Sequence, residues 1–104
     1  MKFNCTVISI GGNQATFAYA DVPPLGMLRD WVGGYIEAVP NFNYFGTDPC
    51  VVYCNEEGKL KGLTINTRAT LLWAACIAPF RLEDILHGDV VIITAENPAH
   101  LQEL

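Results

Sequence analysis

The sequence predicts an α+β fold: a single small domain over residues 1–104, with a mixed or antiparallel sheet of about five strands and two main helices. Three observations predict it. Short β-prone runs alternate with turns rich in Gly, Asn and Pro. Two stretches space their apolar residues three and four apart, as helices do. One late run, Asp89 to Thr94, is apolar through its centre without alternation, the pattern of a strand covered on both faces.

Phe3 to Ile10 is rich in β-branched residues and ends at Gly11-Gly12-Asn13. Gln14 to Ala20 follows, alternating Thr16, Ala18 and Ala20 with Ala15, Phe17 and Tyr19, so the two runs read as a hairpin. Pro23-Pro24 breaks the sheet. Leu25, Leu28 and Val32 mark a short helix from Pro24 to Val32, stopped by Gly33-Gly34. Tyr35 to Val39 reads as a strand closed by Pro40, and Asn41 to Pro49 as a loop. Val51 to Cys54 is a strand. The polar turn Asn55-Glu56-Glu57-Gly58 would fold Lys59-Leu60 back on it as a second hairpin. Thr67 or Asn66 caps a helix with Ala69, Leu72, Trp73 and Cys76 on its buried stripe, ended by Pro79. Leu82, Ile85 and Leu86 suggest one more helical turn, capped by Gly88. The tail from Glu96 has Pro98 placed to open a brief helix.

Composition narrows the function classes. With 51% hydrophobic and 16% charged residues, the chain is too apolar for disorder, and no window reads as a transmembrane helix. A net charge of -5 argues against duplex nucleic acid, which is bound through Lys and Arg on phosphates. The start lacks the apolar run of a signal peptide. Cys5, Cys50, Cys54 and Cys76 are therefore expected as free thiols in a reducing cytoplasm.

Motifs for catalysis are sparse. Ser9, the single serine, lies in a predicted strand, and no nucleophile elbow surrounds it. A cysteine–histidine pair needs a thiol beside His87 or His100, and Cys54 is the best placed. The alternative is that all four cysteines are small buried hydrophobes. Cys50 and Cys54 would share one side of a strand as zinc ligands, but no second ligand pair follows, so no metal and no cofactor is expected. Glu56-Glu57 reads as a solvated turn tip. Glu37 is polar within an apolar strand, on an open face or paired with a base such as Lys61. The Gly-Gly pairs lack the context of a phosphate loop.

One constellation stands out. Lys59, Lys61 and Arg68, three of six basic residues, lie close in an acidic chain, with Asn66 and Thr67 at a predicted helix N-terminus. Free amides and the helix dipole favour an anion there, and Arg68 adds a planar fork suited to phosphate. Tyr35 would add a stacking wall. The competing reading is a capped helix beside a solvated charged turn. Phe42, Tyr44 and Phe45 are unusual in a loop. They either form a self-association surface or insert into the chain's own core.

Four stretches carry a resemblance in this order: Trp31-Val-Gly-Gly-Tyr-Ile-Glu37, Val52 to Leu63, Asn66 followed by Ala69 to Trp73, and Gly88 to Ile93. They resemble the small family catalogued as domain of unknown function 3846, carried mainly by bacteriophages, plasmids and their hosts. The resemblance covers roughly Leu28 to Thr94. The chain departs from it in the aromatic loop Asn41–Pro49 and in Thr64, where Pro is common. It implies a mobile-element accessory protein acting inside a bacterial cell and transfers no catalytic residue. The expected function is a non-enzymatic binding protein for a small anionic ligand, a candidate sponge for a host defence nucleotide, with Lys59, Lys61, Asn66, Thr67, Arg68 and Tyr35 as its site. The alternatives are a protein–protein interaction module inhibiting a host protein and a small hydrolase using Glu37 or Cys54. A homodimer or higher homo-oligomer is expected, with Phe42, Tyr44 and Phe45 at the interface and no membrane partner.

Overall fold

Phe3–Ile8 (β1) and Gln14–Tyr19 (β2) pair antiparallel, as the hairpin reading requires. The turn closes through Ser9 N–H to Asn13 O and Gly12 N–H to Ser9 O, both 2.9 Å, with Gly12 at φ 86. The computed structural model describes residues 1–77 and 84–104. Its remaining elements are Leu25–Val32 (α1), Ile36–Ala38 (β3), Tyr44–Phe45 (β4), Asp48–Pro49 (β5), Val51–Asn55 (β6), Thr67–Ala74 (α2), Val90–Ala95 (β7) and a 3₁₀ helix over Pro98–Glu103. Five strands form an antiparallel sheet in the order β2-β1-β7-β6-β3, and β4 and β5 pair as a separate small hairpin. The fold is α+β. Among the described residues no helix is long and apolar enough to cross a membrane.

The continuous apolar run is central because both its faces are covered. Val90 and Ile92 point into one core with Ile8, Val52, Phe42 and the α2 residues Ala69 and Trp73. Val91 and Ile93 point into the other with Phe3, Cys5 and the α1 residues Leu28 and Val32. All four β7 residues from Val90 to Ile93 are fully buried. A strand between two helical layers cannot alternate polar with apolar.

Local signals place both helices. Pro24 is the N-cap of α1, and Gly33 ends it in the left-handed region at φ 77, donating to Arg29 O at 2.8 Å. Gly34 lets Asn55 approach: a Cβ on Gly34 would sit 2.7 Å from Asn55 Nδ2. Asn55 uses that position to donate to Val32 O at 3.2 Å and to accept from Glu57 N–H at 2.8 Å.

Three expectations change. First, β6 does not pair with Lys59–Leu60. Both of its edges are taken, by β3 and β7, and residues 56–63 instead wind through turns closed by Lys61 N–H to Glu57 O at 2.9 Å and Leu63 N–H to Gly58 O at 2.9 Å. Second, Ile85 and Leu86 are not helical. Their segment runs extended, with Asn66 N–H donating to Leu86 O at 2.8 Å and Ile65 bridging His87. Leu82, like the Pro79 stop of α2, lies outside the described residues. Third, the aromatic loop contains the β4–β5 hairpin, turned at Gly46 with φ 64, and Phe42 inserts into the α2-side core at 1% exposure. Trp73 Nε1–H donates to Pro40 O at 2.8 Å and fixes the start of that loop.

Candidate functional site

Asn66 organises the region around the predicted basic island. It is fully buried, and each atom of its amide is engaged. Oδ1 accepts from Ala69 N–H at 3.1 Å and so caps α2. Nδ2 donates to Ile8 O and to Gly88 O, both 2.9 Å. One side chain therefore ties the N-terminus of α2 to the end of β1 and to the entry of β7. Asn66 positions the helix and offers nothing to a ligand.

Its capping accounts for two of the first-turn amides. Ala69 N–H goes to the Asn66 side chain, and Thr70 N–H donates to Asn66 O at 3.0 Å. The amides of Thr67 and Arg68, on exposed residues, have no acceptor among the described residues. No acidic residue occupies the first turn. Thr67 and Arg68 line a hollow of about 540 Å³ between α2 and the β1–β2 turn. Gly11 and Gly12 line it from the β1–β2 turn, and Ile10, Leu71 and Leu72 add apolar lining. Arg68 Nη2 donates to Gln14 Oε1 at 2.8 Å, which holds the guanidinium beside the hollow. Gln14, Gly11 and Gly12 were not legible as site residues. They reach α2 only because β1 and β2 pack beside it.

The rest of the island lies elsewhere. Lys59 lines a second hollow, of about 440 Å³, with Glu37, Cys54, Glu56, Asp84 and His87. There it forms an ion pair with Asp84, whose carboxyl is held below the usual range first by the hydrogen bond from Lys59 and then by the Ile85 amide. Among the described residues carboxylates outnumber cations along this hollow, which disfavours an anion there. Lys61 is exposed and lines neither hollow. Tyr35 is exposed too, with the Arg29 guanidinium 4.8 Å from its ring centroid, and joins neither. The basic residues near one another in sequence thus divide between two surfaces, because residues 56–63 form their own wound turn. The expected interface residues divide likewise. Phe42 is core, Phe45 is half-buried against that core, and Tyr44 is exposed.

The thiols are set by burial. It pushes Cys5 up to about 11 and Cys50 up to about 12, with nearby Cys76 adding to the latter. Burial and then the Glu37 carboxylate push Cys54 up to about 11. Glu37 stands directly opposite Cys54 across β3 and β6. Cys54 and His87 line the same hollow, but Cys54 is held as a thiol at neutral pH, and the nucleophilic form is the thiolate. Among the described residues no group of three or more His, Cys, Asp or Glu side chains is placed to hold a metal.

These shifts set an alkaline limit on stability. Well below the ordinary thiol value of about 8.5, folded and unfolded chains both keep these protons. Above it the unfolded chain releases protons that the folded chain retains, so stability falls as pH rises toward the folded values of about 11 and 12. The half-buried Tyr53, also raised, adds to the fall at higher pH. We expect a thermal midpoint that declines steadily above pH 9, with a shallower decline in Cys54→Ala. Circular dichroism melts across pH 8 to 10.5 check this, and a flat midpoint would show that burial does not hold the thiols protonated.

The resemblance read from residues near Leu28 to Thr94 extends beyond that segment in both directions. No curated protein and no solved structure matches the chain. The family model of the Domain of unknown function (DUF3846) matches residues 5–103, nearly the whole chain, and the chain therefore belongs to that family.

Proposed function

We propose that this protein is a non-enzymatic binding protein for a small anionic ligand, held in the hollow between the β1–β2 turn and the N-terminus of α2. One observation supports the reading: Thr67 and Arg68, at the start of α2, line a single hollow together with the apolar Ile10, Leu71 and Leu72, and Arg68 is held beside it by Gln14. Amides at a helix start and a planar guanidinium suit a phosphate or carboxylate, and Ile10, Leu71 and Leu72 suit an apolar body attached to it. The site is narrower than the basic island: Thr67 and Arg68 belong to it, while Lys59, Lys61 and Tyr35 do not. In its finer form the proposal is a phage-type accessory protein that captures a host defence nucleotide in the bacterial cytoplasm, an extension by family analogy. The half-buried Cys54, its thiol pushed up to about 11, weighs against a hydrolase built on that thiol.

Isothermal titration calorimetry against ADP-ribose, a cyclic dinucleotide, AMP and inorganic phosphate tests it. One of the nucleotides is expected to bind, with Arg68→Ala weakening it about tenfold or more. Lys61→Ala should leave that affinity unchanged. Absence of heat from every probe, or affinity that survives Arg68→Ala, would overturn the proposal.

A further inference from the structure

We infer that two copies of this chain pair through the open edge of β2, continuing the sheet across a two-fold axis. The two outer strands are treated differently. β3 is three residues long, carries Glu37 at its centre and is followed by Pro40, three features that block pairing with another chain. β2 has six residues, Gln-Ala-Thr-Phe-Ala-Tyr, without a charge or a proline, and its register with β1 runs unbroken by a bulge. It is exposed along its length apart from half-buried Tyr19. An outer strand about 20 Å long with no blocking feature is a template for another strand.

Its geometry favours a second copy as the occupant. The Ser9–Asn13 hydrogen bond sets the phase of the β1–β2 ladder, so the backbone groups of Ala15, Phe17 and Tyr19 face β1 and those of Gln14, Thr16 and Ala18 face outward. A two-fold axis through Phe17 joins Thr16 to the second copy's Ala18 by those outward groups. Phe17 then meets its own equivalent at the closer, non-hydrogen-bonded spacing, and the small Ala15 lies opposite the second copy's Tyr19. Side chains on the α1 side of one copy stay on that side in the pair. Phe17 already stacks on Trp31 with ring centroids 5.5 Å apart, yet remains 44% exposed. Pairing would cover it. Charge points the same way. At a net -5 two copies repel over most approaches, whereas β2 against β2 opposes no like charges. This contact is separate from the 41–49 segment, whose Phe42 is occupied in the chain's own core.

Sedimentation velocity and native mass spectrometry of the full chain across a concentration series test the inference by mass alone, independently of any ligand. A species of twice the 11.4 kDa chain mass is expected. Phe17→Lys and Phe17→Glu should each be monomeric, because each opposes like charges, and mixing the two should restore the dimer. If either variant loses its circular dichroism spectrum, hydrogen exchange on the unaltered chain decides. The outward amides of Thr16 and Ala18 should be protected when concentrated and exchange freely when dilute. A monomer at every concentration, unprotected outward amides, or a dimer that survives both Phe17 variants and dissociates in Tyr44→Lys would overturn it.

Discussion

Replacing Asn66 with alanine is expected to destabilise the protein by about 3–5 kcal/mol. The change removes the cap of α2, worth about 1 kcal/mol. It also strips a donor from the buried Ile8 and Gly88 carbonyls, at about 1–2 kcal/mol for each. A domain of ordinary stability has about 5–15 kcal/mol in total. Asn66→Asp separates the two contributions. An aspartate keeps the cap and adds a charge that the helix N-terminus favours, but it turns an acceptor toward both carbonyls. Asn66→Asp should therefore be at least as unstable as Asn66→Ala at neutral pH. Urea denaturation with a common m-value reads both. An aspartate variant as stable as the parent chain would show that the cap, not the tie to β1 and β7, is what Asn66 contributes.

Trp73→Ala is expected to cost about 3–5 kcal/mol, chiefly by leaving a cavity between α2 and the sheet. Trp73 is 5% exposed, packs in the core with Phe42 and Val52, and donates its indole N–H to Pro40 O at 2.8 Å. In a chain of this size the loss corresponds to a fall in thermal midpoint of more than about 10 °C. Trp73→Phe keeps most of the volume and loses the hydrogen bond, so a cost of about 1–2 kcal/mol is expected. A second readout separates local from global effects. Trp73 also walls the hollow that holds Cys54, so Trp73→Ala should admit a thiol reagent to Cys54 faster than global unfolding allows. A Trp73→Ala protein with an unchanged midpoint would mean that the segment from Pro40 to Phe42 is held by other contacts.

Both side chains illustrate how far local signals reach. The helix start at Asn66 and the stripe of Ala69 and Trp73 are legible, since caps and three-four spacing act within one or two turns. So are the β1–β2 hairpin, α1 with its glycine stop, and the doubly covered run that becomes β7. The strand partner of β6 was not legible. Val51–Asn55 and Lys59–Leu60 satisfy the rules for a hairpin, but β3 and β7 occupy both edges of β6. The direction of Phe42 was equally open, because an aromatic residue in a loop satisfies its preference at an interface or in a core.

The candidate site divides along the same line. Thr67 and Arg68 could be named from sequence because a helix N-terminus and a guanidinium are local properties. Lys59, Lys61 and Tyr35 could be named as chemistry but not as neighbours. Composition, periodicity and turn residues determined the α+β class, the positions of most elements and the burial of β7. Only the tertiary structure decided that Asn66 is a structural tie, that Arg68 shares a hollow with Gly11 and Gly12, and that Lys59 turns away to Asp84. The reason is physical. Backbone preferences are settled among residues a turn or two apart, whereas a hollow is the space left between elements brought together from distant parts of the chain, and its walls exist only once the sheet order is set.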